Sequence, residues 1–182
     1  MLAWLVFVDE SGFSLVSPLK RSWSPRGKTP TIRTSLQHHP RLNLLGALLI
    51  RLDEGKIKLM TRSYRRSLCG EQVVAFLEQL LRTVSGQIVL VWDNHPIHKR
   101  QLVQDFIAQH PRLHVYSFPT CAPELNPVEF VWTQLSEYCA NFAPHNMTEL
   151  CTRISNGIAR TRNSVWRLAA CLAGCDLSWI YL

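Results

Sequence analysis

The apolar residues of the first part of the chain fall into short runs that are typical of β-strands. Leu2–Val8 and Gly12–Val16 are separated by a turn signal at residues 9–12, and Leu42–Ile50 forms another apolar run. Residues 56–60 alternate between polar and apolar side chains, which predicts a strand with one face in water. The pattern therefore predicts several consecutive strands before the first helix.

From residue 69 onward the pattern changes to the spacing of amphipathic helices. Apolar residues recur at offsets of three and four in the segments 69–84, 102–107, 128–142, 147–158 and 165–172. Two strands, Ile88–Trp92 and Leu113–Phe118, lie among the first of these helices. Because Ile88–Trp92 is apolar on both faces, we expect helices on each side of it. This order predicts an α/β fold with a mixed five-stranded central sheet flanked by helices on both faces.

The composition fits a single soluble domain that covers residues 1–182. Hydrophobic residues make up 47% of the chain and charged residues 18%, which excludes a disordered protein. Six cysteines without C-x-x-C spacing, in a chain without a secretory signal, indicate reduced thiols in a cytosolic protein. The apolar runs are shorter than the roughly 18 residues of a membrane span. The net charge of +7 favours an anionic partner such as nucleic acid, although charge that only aids solubility is the alternative.

Three carboxylates occupy positions that suit metal ligands. Asp9 follows the first apolar run, and Asp93 follows the run at residues 88–92. Glu129 lies in the first turn of a helix that begins after Asn126. Because Mg²⁺ prefers hard oxygen ligands, the convergence of these acids would form a site for divalent cations.

Asp93 and Glu129 also have structural interpretations, and Asp9 has a competitor. Asp is common in turns, where its side chain bonds to the backbone, so Asp93 could simply cap a turn. Glu129 lies at the position where it would complete a capping box with Asn126. Glu10 is the competing acid beside Asp9, and alternation along a strand sends the two side chains to opposite faces. We choose Asp9 as the site residue because it lies nearer the end of the predicted strand, where the other acids would converge.

Basic and polar residues in two loops are candidates for contacts with DNA phosphates. One loop covers residues 20–33 and the other follows Asp93, while the pair Arg65 and Arg66 is a further candidate. A solvated charged surface is the alternative, and a lone histidine is more often a hydrogen-bonding residue than a catalyst. The residues assigned to DNA contact are Lys20, Arg21, Arg26, Lys28, Arg33, Asn94, His98, Lys99 and Arg100.

Three short motifs and one loop follow one another in a characteristic order between residues 8 and 132. The motifs are Val8–Ser11, Trp92–His98 and Pro123–Glu129, the last followed by Trp132, and the loop is Trp23–Gly27. The second and third acids are separated by 35 residues, numbers 94 to 128. In these motifs and this spacing the chain resembles the DDE transposases of the Tc/mariner superfamily, and most closely their bacterial insertion-sequence branch.

The resemblance implies an RNase H-like fold and a triad of Asp9, Asp93 and Glu129 that holds two Mg²⁺ or Mn²⁺ ions. It also implies DNA strand cleavage followed by strand transfer, in a cut-and-paste reaction with insertion at TA dinucleotides. The partners that it implies are transposon ends and target DNA, bound by a homodimer in the bacterial cytoplasm at the nucleoid.

The chain departs from the pattern of that family at three points. Cys121 stands where the family often has Tyr, and Phe130 where a basic residue is frequent. Met1 lies close to the first predicted strand, so we expect a catalytic core without the helix-turn-helix segments that usually precede it, from a split or frameshifted reading frame or a truncated relic. The alternatives to a transposase are a non-catalytic DNA-binding relic and a general RNase H-like nuclease, because fold alone does not decide function.

Overall fold

The computed structural model describes residues 3–32, 40–51 and 53–177. None of the helices in these ranges is long and apolar enough to cross a membrane. A single turn of 3-10 helix, Pro123–Leu125, precedes the third α-helix. The regular elements are, in chain order, β1 (Ala3–Ser14), β2 (Arg41–Arg51), β3 (Lys56–Tyr64), α1 (Gly70–Thr83), β4 (Gln87–Trp92), α2 (Gln101–Ala108), β5 (Leu113–Ser117), α3 (Pro127–Cys139), α4 (Met147–Arg162) and α5 (Val165–Ala173).

The strands form one mixed sheet of five strands in the order β3-β2-β1-β4-β5. β1 pairs with β2, and β2 with β3, in antiparallel fashion. β4 and β5 run parallel to β1, and each is reached through a helix, because parallel strands need a crossover connection. The mixed five-stranded sheet predicted from the sequence is confirmed.

Helices cover both faces of this sheet, as the sequence predicted. α1 and α2 pack on one face, against side chains that include Val6 and Val8. α3, α4 and α5 pack on the other face, against a cluster that includes Phe7 and Leu44. Because side chains alternate along a strand, odd-numbered residues of β1 point towards α3, whereas even-numbered residues point towards α1 and α2.

β1 does not end at Asp9, and the turn predicted at residues 9–12 is wrong. The strand continues to Ser14 because β2 pairs with it throughout, with Asp9 opposite Gly46. The parallel pairing of β1 with β4, in contrast, stops at Phe7. Asp9 therefore lies within a strand, but at the point where one of its two neighbouring strands ends.

α3 ends at Cys139, before the end at Phe142 that the apolar stripe predicts. Asn141 adopts a left-handed backbone conformation with φ of 58°, which Asn tolerates better than most residues. Its side-chain amide exchanges two hydrogen bonds of 3.0 Å with the backbone of Lys20. The helix thus ends next to a contact with the loop after β1, which the hydrophobic pattern could not predict.

Gly46 leaves the space beside the sheet that the indole ring of Trp132 occupies. Trp132 belongs to α3 and is buried against the sheet. A Cβ atom added at Gly46 would lie 2.5 and 2.7 Å from two carbons of this ring. Since Gly46 is the partner of Asp9 in the strand pairing, the indole packs directly beside the acid.

We expect Gly46→Ala to reduce the free energy of unfolding by about 1–3 kcal/mol, because the buried indole must shift to admit the methyl group. Equilibrium denaturation with urea measures this difference. Gly12→Ala is the matched control within the same sheet, since its Cβ would meet the side-chain oxygen of Asn43 at 3.1 Å and nothing closer. Equal destabilisation by the two substitutions would contradict the packing role of Gly46.

Candidate active site

The parallel strands β1 and β4 bring Asp9 and Asp93 to the same level of the sheet. Phe7 pairs with Val91, and each acid lies two residues beyond its own strand's member of this pair. Asp9 remains within β1, whereas Asp93 is the first residue after β4. Both acids thus lie at the carboxyl ends of parallel strands, where ligands commonly bind in α/β proteins.

Asn126 attaches the start of α3 to β1. Its side-chain oxygen accepts a hydrogen bond of 3.1 Å from the N–H of Val128, which caps the helix. Its side-chain nitrogen donates a hydrogen bond of 3.3 Å to the carbonyl of Val8, the residue before Asp9. The first helical turn, which contains Glu129, is therefore placed next to the acid on β1.

The structural interpretations of the two other acids have different outcomes. Glu129 does not complete a capping box, because the N–H of Asn126 donates to the carbonyl of Pro123 at 3.0 Å. Asp93 does stabilise its turn, since its Oδ1 accepts a hydrogen bond of 3.0 Å from the N–H of His95. The turn-capping interpretation of Asp93 thus holds beside its predicted role at a metal site.

Asp9, Asp93 and Glu129 line a single cleft of about 340 Å³. The segment 118–123 forms another wall of the cleft, together with Asn94. Three acids that are distant in the sequence are therefore brought into one cleft, as the motifs predicted. Their role as metal ligands stays a prediction.

Asp9 is the most unusual of these acids electrostatically. It is 8% exposed, and burial together with the charges of Glu129 and Glu10 raises its pKa to about 8. The indole Nε1 of Trp132 donates a hydrogen bond of 2.7 Å to Asp9 Oδ2, which opposes this rise. Burial and the charge of Asp93 also raise the pKa of Glu129.

This distribution of charge fits a divalent cation. Carboxylates share a partly buried cleft, and their mutual repulsion and burial disfavour the charged forms. A bound cation would relieve that repulsion, and a set of oxygen donors suits Mg²⁺ or Mn²⁺. Trp132 holds one oxygen of Asp9 and His95 holds one oxygen of Asp93, which leaves the second oxygen of each carboxylate for a metal.

Glu10 and His98 meet on the opposite face of the sheet, although the sequence pattern favoured Asp9 over Glu10 and predicted DNA contact for His98. The Nε2 atom of His98 lies 3.3 Å from Glu10 Oε1 and 3.2 Å from Asp93 Oδ1. Burial lowers the pKa of His98, but the contacts with Asp93 and Glu10 outweigh it and raise the pKa to about 9. The burial of His98 leaves no surface for a phosphate, which argues against DNA contact.

Asp93 therefore belongs to two sets of residues that could each bind a metal ion. In the described part of the chain, Glu10, Asp93 and His98 have ligand atoms within 4.8 Å of one another. The predicted triad shares Asp93 with this set. The sequence contained a signal for the second set, because Glu10 directly follows Asp9 and His98 belongs to the same motif as Asp93.

The other residues after Asp93 that were assigned to DNA contact are Asn94, Lys99 and Arg100. Asn94 lines the cleft, and its side-chain nitrogen donates a hydrogen bond of 2.9 Å to the carbonyl of Phe118. Lys99 and Arg100 are exposed just before α2. Of these residues, Asn94 is the one that the structure brings into the site.

The basic loop after β1 lies apart from the cleft. Among the described residues that line the cleft, none comes from this loop. Lys20 forms an exposed ion pair with Glu137, with a nitrogen–oxygen distance of 2.8 Å. Arg33 lies outside the described residues. The remaining basic residues of the loop are exposed, namely Arg21, Arg26 and Lys28.

We expect Asp9→Asn to raise the melting temperature of the metal-free protein more at pH 8.5 than at pH 5. The raised pKa of Asp9, about 8, means that the folded state loses stability as the pH rises from about 4 through 8. Asn removes this charge and still accepts the bond from Trp132, so a gain of at least about 1 kcal/mol, or roughly 2–4 °C, is expected at the higher pH.

Calorimetry in the presence of a chelator measures this difference at both pH values. Asp105→Asn, at an exposed position of α2, is the matched control and should change the melting temperature little. A gain for Asp9→Asn that is the same at pH 5 and pH 8.5 would contradict the electrostatic explanation.

Comparison with known proteins gives one family and several structures of similar fold. The sequence profile of the DDE superfamily endonucleases matches residues 4–151. The insertion element IS630 uncharacterized 39 kDa protein of Shigella sonnei is 26% identical over 131 residues, which cover 72% of this chain and 37% of that protein.

Two of the similar structures are complexes of the Mos1 transposase. The paired-end complex with the left transposon end has a TM-score of 0.59 at 15% identity, covering 93% of this chain and 54% of that chain. The mariner Mos1 paired-end complex with Mg has a TM-score of 0.58 at 16% identity, with the same coverage of 93% and 54%. The chain thus spans about half the length of the Mos1 chains and 37% of the length of the IS630 protein.

These similarities agree with the expectations from the sequence motifs. The shared fold with Mos1 confirms the RNase H-like fold. The profile match, the insertion-element relative and the Mos1 fold together confirm the resemblance to Tc/mariner-type DDE transposases. The matched region includes Asp9, Asp93 and Glu129 and covers most of the chain, and the chain belongs to the DDE superfamily endonucleases.

Proposed function

We propose that this chain is the catalytic domain of a transposase, which cleaves DNA strands and transfers their ends to a target DNA. The observation that carries this proposal is the placement of Asp9, Asp93 and Glu129 in one cleft at the edge of an RNase H-like sheet. Membership of an endonuclease family supports the cleavage step. The fold shared with the Mos1 transposase supports the transfer step.

The proposed cofactor is a pair of Mg²⁺ or Mn²⁺ ions held by Asp9, Asp93 and Glu129. When bound, such ions activate the attacking oxygen and stabilise the leaving oxygen of a phosphodiester. The contribution of the chain is to hold the carboxylates in place: Trp132 bonds one oxygen of Asp9, and His95 bonds one oxygen of Asp93. The Mos1 complex with Mg supports the choice of metal.

A second depression, which we call the arginine groove, adjoins the cleft and is proposed to hold the DNA backbone. It has a volume of about 480 Å³, and its lining includes Arg41, Arg65, Arg66 and His95, together with the acid Glu10. His95 also lines the cleft, so the two depressions meet at this residue. In the described part of the chain none of the three arginines has an acidic partner within 4.0 Å, which leaves their charges for phosphates.

The partners that we propose are transposon ends and target DNA, bound by a homodimer of the catalytic domain 1–182. The Mos1 transposase in its paired-end complex supports DNA as the partner. With bacterial insertion-element DNA as substrate, the site of action is the nucleoid in the cytoplasm, in agreement with the relative from Shigella sonnei.

We expect Asp93→Asn and Glu129→Gln to reduce metal-dependent nicking of DNA by at least about 100-fold, the order of loss when one electrostatic stabiliser of a transition state is removed. Nicking of supercoiled plasmid with Mn²⁺ measures the effect. Glu137→Gln is the matched control, because Glu137 lies on the same helix as Glu129 but pairs with Lys20 outside the cleft. Unchanged nicking by both cleft variants would remove these acids from the mechanism.

The products of the same reaction separate the transposase from its alternatives. Joined donor and target strands, detected on labelled DNA that carries insertion-element ends, support strand transfer. Cleavage without joining would favour a general nuclease, and DNA binding without cleavage in Mn²⁺ would favour a non-catalytic relic.

We expect the double variant Arg65→Ala, Arg66→Ala to bind DNA more weakly and with a reduced dependence on salt. Each phosphate contact that is lost should lower the slope of log affinity against log salt concentration by about 0.9 for duplex DNA. Fluorescence anisotropy with Ca²⁺ in place of Mg²⁺ measures this slope.

The matched control for the arginine groove is the double variant Lys56→Ala, Arg82→Ala. Both control residues are exposed, and neither lines the cleft or the groove. The control removes the same formal charge and should leave more of the salt slope intact. An equal loss of slope in the two double variants would mean that net charge, and not the arginine groove, holds the DNA.

A further inference from the structure

His98 is a buried histidine whose ring has a defined position. The ring stacks on Trp92 with 4.0 Å between the ring centres and 15° between the planes. The turn that carries it is closed by a hydrogen bond of 3.0 Å from the His98 N–H to the carbonyl of His95. The imidazole is therefore fixed both by its stacking partner and by its own backbone.

The Nε2 atom of His98 lies between two carboxylates that come from different segments. It is 3.3 Å from Glu10 Oε1 and 3.2 Å from Asp93 Oδ1. Neither contact has the alignment of a strict hydrogen bond, since Nε2 and Glu10 Oε1 are both buried without such a partner. The imidazole nitrogen is thus shared between the two acids instead of committed to one.

We propose that Glu10 and His98 form a clamp that positions Asp93 to bind a metal ion. Two protein contacts fall on the same oxygen of Asp93, Oδ1: the Nε2 atom of His98 and the N–H of His95. The side chain of Asp93 also lines the cleft. With Oδ1 held in this way, Oδ2 is the oxygen that the clamp leaves for the metal.

The clamp also fixes Asp93 relative to Asp9. Glu10 lies within β1 and pairs with Leu45 on β2, so its backbone is held by the sheet. Asp93 lies outside the regular elements, immediately after β4. By connecting a carboxylate in a loop to the strand that carries Asp9, the clamp sets the spacing between the two proposed ligands.

A purely structural role accounts poorly for this arrangement. An apolar ring would fill the space beside Trp92 without the desolvation of an imidazole and a carboxylate, which is costly when their hydrogen bonds are incomplete. The clamp acts through Asp93 and needs no contact with DNA. Glu10 and His98 are therefore positioning residues, and their role rests on the proposed metal-dependent function.

The test compares direct Mn²⁺ binding in variants that change the clamp but keep the packing. His98→Phe keeps a ring beside Trp92 and removes both nitrogens, whereas His98→Gln keeps an N–H donor. We expect His98→Phe to weaken Mn²⁺ affinity by about 10–100-fold, the usual effect of removing a residue that orients a metal ligand. His98→Gln should recover part of this loss. Electron paramagnetic resonance of free Mn²⁺ measures the affinity without any DNA.

His110→Phe is the matched control for the loss of a stacked histidine. His110 stacks on Phe106 with ring centres 4.1 Å apart, and it does not line the cleft. Its replacement should leave the affinity for Mn²⁺ unchanged. Melting temperatures in a chelator show how far each variant is destabilised. If His98→Phe does not fold, Glu10→Leu tests the proposal instead, because it removes the other half of the clamp.

Three results would overturn the clamp. One is a Mn²⁺ affinity of His98→Phe or of Glu10→Leu equal to that of the unchanged protein. The second is a loss of affinity in His98→Phe that follows its melting temperature and is matched by His110→Phe. The third is complete loss of Mn²⁺ binding in Glu10→Leu with full binding in Asp9→Asn, which would assign the ion to Glu10, Asp93 and His98 themselves.

Failure of the proposed function gives a different result. If the unchanged protein binds Mn²⁺ and the clamp variants weaken that binding, but no DNA is cleaved or joined, the transposase proposal fails and the clamp stands. If DNA is cleaved with the same Mn²⁺ dependence by the unchanged protein and by His98→Phe, the clamp fails and the catalytic proposal stands.

Discussion

Asp9 is buried beside other carboxylates, and much of the surrounding structure serves to keep it there. Burial and the neighbouring charges raise its pKa to about 8, and a hydrogen bond from the indole of Trp132 opposes that rise. Trp132 reaches the acid because Gly46, the partner of Asp9 in the strand pairing, has no side chain in the way. Asn126 then joins the start of α3 to the carbonyl next to Asp9. Burial therefore favours the neutral form of Asp9, whereas the hydrogen bond from Trp132 favours the charged form.

β1 serves the site with both of its faces. Asp9 points towards α3 and the cleft, whereas Glu10 points to the other face, where it meets His98. Asp93 follows β4 and lies at the edge between the two faces, so it contacts His98 on one side and lines the cleft on the other. Two neighbouring acids on one strand thus have distinct surroundings because alternation separates them.

The sequence predicted the class of fold and the three acids of the cleft because these depend on local patterns and on spacing along the chain. Hydrophobic runs mark strands, and the order of strands and helices limits the sheet that they can form. The polar residues and Gly12 at positions 9–12 predicted a turn. In the structure these residues pair with β2 and remain part of β1. The predicted end of α3 was also wrong, because hydrophobic periodicity does not report the tertiary contact of Asn141 with Lys20.

Contacts across long sequence separations were the other part that the sequence could not supply. His98 looked like one of several basic residues in a loop, but stacking on Trp92 buries it beside Glu10 and Asp93. Trp132 belonged to a recognised motif without a role, and its bond to Asp9 spans 123 positions in the chain. Such assignments require the register of strands and the docking of a helix, both of which follow from the whole fold.

The hydrophobic layers on the two faces of the sheet explain how the folded chain can tolerate a cleft whose acids lower its stability. One cluster lies under α1 and α2 and the other under α3, α4 and α5, and both are built from buried apolar side chains. The burial of these apolar side chains stabilises the folded state and offsets the cost of placing the acids together in the cleft. A cation that binds the folded state alone would add its binding energy to that stability. The repulsion among the acids, which weakens the metal-free protein, is therefore also what favours occupation of the cleft by a divalent ion.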